Sequence, residues 1–157
     1  MQILDTQALC QHIIQPTLRH LNMYSLAAEK LLLGTAALHS SFNPLMVTDG
    51  LGLYQITSEE HHTVWDKFLA FRPELASKVR GLAGQHSFLQ SPDHELITNL
   101  TYGTAIAWTL FLMAEIPLPE AADEEALLRC CRAAYGKKSA AGECAPFTEC
   151  VRAHIAA

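Results

Sequence analysis

Residues 26–38 read LAAEKLLLGTAAL, and this stretch decides the architecture. Its apolar residues point in nearly every direction around a helix, and a helix that is apolar all round is buried on all sides. Ser25 stands just before it and is a good N-cap residue. The stretch therefore predicts a central helix over 26–39 with the rest of the chain packed around it.

The flanks read as more helices with short connections. Asp5 is placed to cap a first helix running to about 21, with Pro16 expected to kink or divide it. Residues 40–55 contain Asn43-Pro44 and Asp49-Gly50, both turn signals, and form the one region for irregular or β structure. Thr57-Ser58-Glu59-Glu60 has the form of a capping box and opens a helix through Trp65 to about 71. Pro73 starts a short helix ending near 82, and 84–89 reads as loop. Ser91-Pro92-Asp93 is a helix start, and the helix expected over 93–115 is the longest and most apolar. Asp123 caps a helix over 124–135, and a last one lies around 146–155. The expectation is an all-α single domain over 1–157, with about seven helices and at most a minimal β element around 45–55.

Composition bounds the function. Of 157 residues, 50% are hydrophobic and 17% charged, which excludes a disordered chain. The longest strongly apolar stretch, 105–114, is about half of what a bilayer span needs. With net charge −5 and eleven scattered basic residues, the chain lacks the cationic cluster that displaces phosphate counterions, so nucleic acid is not expected as a partner. A free lytic enzyme working on anionic cell wall would also miss electrostatic steering. The start, MQILDTQALCQHIIQ, has no basic segment before its apolar residues and does not read as a secretory signal. Five cysteines, Cys10, Cys130, Cys131, Cys144 and Cys150, include no Cys-x-x-Cys pair and read as reduced thiols. Neither a cofactor nor a metal is expected. His61-His62 could be a metal pair, but neighbours on a helix point about 100° apart, and a surface or helix-packing role is the simpler reading. Trp65 and Trp108 are expected to fill the core.

Four patterns occur in order: AALHSSFNP at 36–44, DGLGLYQI at 49–56, NLTYGTAIAW at 99–108 and RAAYGKK at 132–138. Gly50 and Gly52 are read as letting backbone approach a ligand closely. Together the patterns resemble the lysozyme-like family of soluble lytic transglycosylases and goose-type lysozymes, most of all the small versions carried by tailed bacteriophages. Ser40, Phe42 and Pro44, then Gly52-Leu53-Tyr54-Gln55, then Asn99 and Gly103, then Ala134-Tyr135 carry the resemblance, which covers about 25–138. His61 and Trp65, spaced after Gln55, are similar to the phage-type stretch; 139–157 is an extension beyond it. The resemblance implies a glycan site at Ser40, Gly52, Leu53, Tyr54, Gln55 and Tyr135, with peptidoglycan strands or other virion proteins as partners. It also implies a phage virion location, reached from the host cytoplasm.

The departure falls at the catalytic position. Where the family places its glutamate, immediately before Ser40, this chain has His39. The asparagine that usually follows the family tyrosine is Gly136 here. A histidine holds a proton near neutral pH but cannot be negative beside an oxocarbenium-like transition state. At about 5 Å and an effective dielectric of 20, an imidazolium would oppose the developing charge by roughly 3 kcal/mol, where a carboxylate would gain as much. The difference corresponds to a rate loss on the order of 10³-fold or more. Glu59 and Glu60 are the nearest acids in sequence, with ordinary roles in a helix first turn and cap. Asp49 has the ordinary role of a turn aspartate, and Glu29 lies too far back along the same helix to substitute. Two readings stay open: a virion module impaired in catalysis, with a structural, docking or glycan-binding role, or an active peptidoglycan lytic transglycosylase or muramidase. An unrelated cytoplasmic binding module is a third.

Overall fold

The computed structural model describes residues 4–135 and 145–154. The fold is all-α, and the apolar stretch is its axis. Ser25 Oγ accepts from the Ala28 N–H at 3.1 Å and opens α3, Leu26–Ser40, which stops at Ser41 in the left-handed conformation. Ala28, Leu31, Leu32 and Ala36 are fully buried, as is Glu29. Before α3, Asp5 caps α1, Thr6–Leu9, which runs into a π-helical turn, Cys10–Ile14, and then α2, Gln15–His20. Pro16 has no N–H to offer, and the wide turn sits just ahead of it, closed by Gln15 N–H on Cys10 C=O. The proline thus divides the helix by a change of register.

Beyond α3, the 41–56 loop holds only two isolated antiparallel bridges, Val47 with Leu51 and Leu51 with Ile56, and no strand occurs among the described residues. The capping box forms as expected: Thr57 Oγ1 accepts from Glu60 N–H at 3.1 Å and Glu60 Oε1 accepts from Thr57 N–H at 2.9 Å. It opens α4, Ser58–Lys67, followed by a 3₁₀ turn, Leu69–Phe71, and α5, Pro73–Leu82.

Two segments depart from the expected reading. Residues expected as loop form α6, Gln85–Gln90. The single helix expected over 93–115 is instead a 3₁₀ turn, Pro92–His94, then α7, Glu95–Thr98, and α8, Leu100–Met113. The two parts are bent by 109°. Asn99 makes the break. Its backbone is extended, its Oδ1 caps α8 by accepting from Tyr102 N–H at 3.0 Å, and its Nδ2 donates to Leu82 C=O at 2.9 Å. Helices therefore outnumber the expected seven. The 92–98 segment and α8 are together long and apolar, but no single helix among the described residues is long and apolar enough to cross a membrane.

Asp123 Oδ1 caps α9, Glu124–Tyr135, by accepting from Ala126 N–H at 3.1 Å. The last element, α10, Ala145–Ala153, lies along α3. Their approach depends on Gly34: a Cβ there would sit 2.6 Å from the ring of Phe147, which is fully buried. An Arg152–Glu124 ion pair at 2.8 Å joins α10 to the start of α9.

Candidate functional site

Three of the four sequence patterns meet at the C-terminal end of α3. The His39 ring stacks on the Tyr135 ring of α9, with centroids 4.3 Å apart and planes 20° from parallel. His39 Nε2 lies 3.9 Å from Cys131 Sγ. Ser40 is buried and donates to Leu53 C=O at 2.6 Å, which fastens the 41–56 loop to α3. The loop is fastened to α8 as well, because Tyr54 Oη and Thr104 Oγ1 are 2.9 Å apart. Gly136, Lys137 and Lys138 of the fourth pattern, and Cys144, lie outside the described residues.

The loop residues assigned to glycan are turned inward. Leu53 is 1% exposed and Tyr54 2%. Gln55, with a positive φ of 50°, spends its side chain inside the loop. Its Oε1 accepts from Thr48 Oγ1 at 2.6 Å, and its Nε2 donates to Met46 and Gly52 carbonyls, each at 2.9 Å. The glycines approach protein, not open space. At Gly52, with φ +75°, a Cβ would lie 2.0 Å from Leu96 C=O, and at Gly50 it would lie 2.3 Å from Gln55 C=O. The close approach that these glycines allow here is between stretches of the chain's own backbone. The surface that the loop does offer carries Leu45 and Val47, both exposed.

Of the two acids nearest in sequence, Glu59 is exposed and Glu60 half-buried. Glu60 Oε1 caps α4, yet its charge also reaches Tyr135. The Tyr135 hydroxyl is held well above its ordinary range by burial first, then by Cys131, Glu60 and Tyr54. Among the acids, Glu60 is the one whose charge acts on the Tyr135 hydroxyl.

His61 is wholly buried and His62 exposed, so the pair is split between interior and surface. His61 Nδ1 is 2.8 Å from Asp93 Oδ1, and its Nε2 is 2.6 Å from Tyr102 Oη, which also accepts from Trp65 Nε1 at 2.8 Å. Burial lowers the His61 pKa below 6.5 despite Asp93. With one ring proton, on Nδ1, every group in this chain is satisfied: Trp65 donates to Tyr102, Tyr102 to His61, and His61 to Asp93. It is a structural relay that binds α4 to α8. Trp108 is buried as expected, 5% exposed, whereas Trp65 is only partly so.

A second cluster lies elsewhere, unread in the sequence. Cys10 of the π turn, Glu29 of α3 and His154, just past α10, bring Sγ, a carboxylate oxygen and a ring nitrogen within 4.8 Å of one another. Glu29 is wholly buried. Its Oε1 accepts from Tyr24 Oη at 3.0 Å, and its Oε2 is paired with His154 Nε2. Next to the cluster is a cavity of about 750 Å³, walled by α1, the π turn, α3 and α10, with Cys10, Cys150 and His154 in its lining. Burial, then Glu29 and Cys150, push the Cys10 thiol up to about 12, the opposite of an activated nucleophile. No local spacing announced these residues, because each comes from a different element.

No family model, no curated protein and no solved structure matches the chain.

Proposed function

We propose that the protein is a lysozyme-like module of the tailed-phage type, impaired in catalysis by His39, which serves a structural, docking or glycan-binding role in the virion. The observation that carries the reading is the stack of His39 on Tyr135, beside the loop that Ser40 fastens through Leu53. The resemblance implies a glutamate next to that tyrosine, and a histidine occupies the place. A carboxylate there would stabilise the oxocarbenium-like transition state by roughly 3 kcal/mol, and an imidazolium would oppose it by as much. The buried state of Leu53, Tyr54 and Gln55 makes this loop a scaffold for the region more than a set of sugar-contacting side chains.

One observation favours the second reading, an active peptidoglycan lytic transglycosylase or muramidase. Glu60 is the acid whose charge raises the Tyr135 pKa, and Tyr135 stacks on His39. In that reading Glu60 supplies the negative charge and His39 the proton.

The test is digestion of purified peptidoglycan by the wild type, His39→Glu and Glu60→Gln, followed by mass spectrometry of the products. Our reading expects no product from the wild type and cleavage by His39→Glu. Anhydro- or reducing-end muropeptides from the wild type, lost in Glu60→Gln, would establish the second reading instead. Silence from both wild type and His39→Glu would remove the glycan site and leave only docking.

A further inference from the structure

We propose that Cys10, Glu29 and His154 form a site for one borderline-soft divalent cation of the zinc type, with the fourth coordination position open to the adjoining cavity. The inference does not depend on the lysozyme-like reading.

The donor set comes first. A thiolate, a carboxylate and an imidazole are the three side-chain ligands that zinc accepts, and catalytic zinc sites use three such ligands and leave one position open. The geometry is near what the ion needs. Metal–ligand distances of about 2.0–2.3 Å in a tetrahedron put the ligand atoms roughly 3.3–3.8 Å apart. The three atoms here lie within 4.8 Å of one another, so adjustments of about 1 Å seat an ion. His154 and Glu29, now directly paired, would part slightly around it.

Charge and burial favour the same occupant. Cys10 is 1% exposed and Glu29 0%, and a carboxylate taken wholly out of water needs strong compensation. With thiolate, carboxylate and neutral imidazole, the ligands carry −2 and the dication makes the site neutral. Coordination by the thiolate releases the Cys10 proton to solvent. Nothing is oxidised or reduced.

The surroundings are those of a supported site. Tyr24 Oη donates to Glu29 Oε1, which fixes the carboxylate and leaves Oε2 directed at His154, as outer partners of metal ligands do. Cys10 lies in a π-helical turn, a distortion that recurs at functional sites. Cys150 stands one turn before His154, and both line the cavity into which the fourth position faces. That position would hold water or a small anionic ligand.

The test uses the full-length untagged chain, stripped with chelator and titrated with Co²⁺ and then Zn²⁺. One equivalent of Co²⁺ is expected to give thiolate-to-cobalt charge-transfer absorption with tetrahedral d–d bands, bleached by Zn²⁺, and Zn²⁺ is expected to raise the melting temperature. Cys10→Ala keeps the His154–Glu29 pair and should fold. It should lose the charge-transfer band and weaken binding by more than about 100-fold, beyond the loss seen when only an outer partner is removed. Glu29→Gln should keep the band and weaken binding comparably. A wild type that shows neither the band nor a Zn²⁺-dependent rise in melting temperature would overturn the proposal. So would Cys10→Ala binding as tightly as the wild type.

Discussion

Glycine-to-alanine substitutions at Gly52 and Gly81 should move stability in opposite directions, because the same methyl group meets backbone at one position and open space at the other. At Gly52, φ is +75° and an added Cβ would lie 2.0 Å from the Leu96 carbonyl oxygen. Left-handed backbone costs an alanine about 1–2 kcal/mol. Relief of the clash moves the loop or α7 by about 1 Å, and overpacking of this kind costs about 1–3 kcal/mol more. The movement strains the Ser40–Leu53 bond and the Gln55–Gly52 bond, both of which depend on where the loop sits. A total near 2–5 kcal/mol, in a chain of this size, lowers the melting temperature by roughly 5–15 °C. At Gly81, inside α5, an added Cβ meets nothing within 4 Å. There alanine gains helix propensity and should stabilise by about 0.5–1 kcal/mol. Thermal melts of the two variants beside the wild type, monitored by circular dichroism, make the comparison. A Gly52→Ala melt within about 2 °C of the wild type, or equal losses at both sites, would refute the claim that Gly52 is held by backbone contact.

Other outcomes follow from the packing. Tyr102→Phe removes the hydroxyl shared by His61 and Trp65, and urea titration should show a loss of about 2–4 kcal/mol, because two polar partners lose their match. Since burial holds the folded His61 pKa below 6.5, the unfolded chain binds the extra proton first. The contribution of His61 is therefore whole above about pH 6.5 and is lost as pH falls below it, and His61→Gln should flatten that part of a urea midpoint-against-pH profile. Asp93 is held down by Ser58 and His61 against the opposing effect of burial, so its contribution is kept above about pH 3.8 and lost below. Gly34→Ala drives a methyl into the Phe147 ring and should cost about 1–3 kcal/mol, seen as faster proteolysis within α10.

The parts of the fold that were legible in the sequence are those decided within a few residues. Asp5, Ser25, Thr57 with Glu60, and Asp123 each cap the helix they precede, because a cap needs only its own side chain and an N–H two or three residues on. The break at Asn99 was not legible. Its apolar surroundings match a continuous helix, and the bond that holds it open goes to Leu82, seventeen positions away in sequence. Gly52 signals a close approach, but glycine alone does not say to what. In the candidate site, His39 and Tyr135 were identified through a resemblance, and the structure brings them together. Cys10, Glu29 and His154 belong to no local pattern, and only the docking of α10 on α3 assembles them.

The two sites sit at different heights on one helix, Glu29 lying ten residues, about 15 Å, before His39, and this decides how they can be told apart. Leu33 and Ala37 of α3 line the cavity beside Cys10 and His154, whereas His39 faces Tyr135. Two helical positions separate Ala37 from His39 by about 200°, so the side chains point away from each other across the helix. Effects at well-separated sites without shared partners add. Cys10→Ala in a His39→Glu background should then leave any glycan cleavage unchanged while it removes cation binding. Coupling between them has two routes: the Arg152–Glu124 pair, which joins α10 to the start of α9, the helix that carries Tyr135, and α3 itself, which packs on both α9 and α10. If cleavage did fall on loss of Cys10 by the first route, Arg152→Ala alone should reproduce the fall with cation binding intact. A fall seen with Cys10→Ala and not with Arg152→Ala would show instead that α3 itself transmits the change, and the two sites would have to be treated as one.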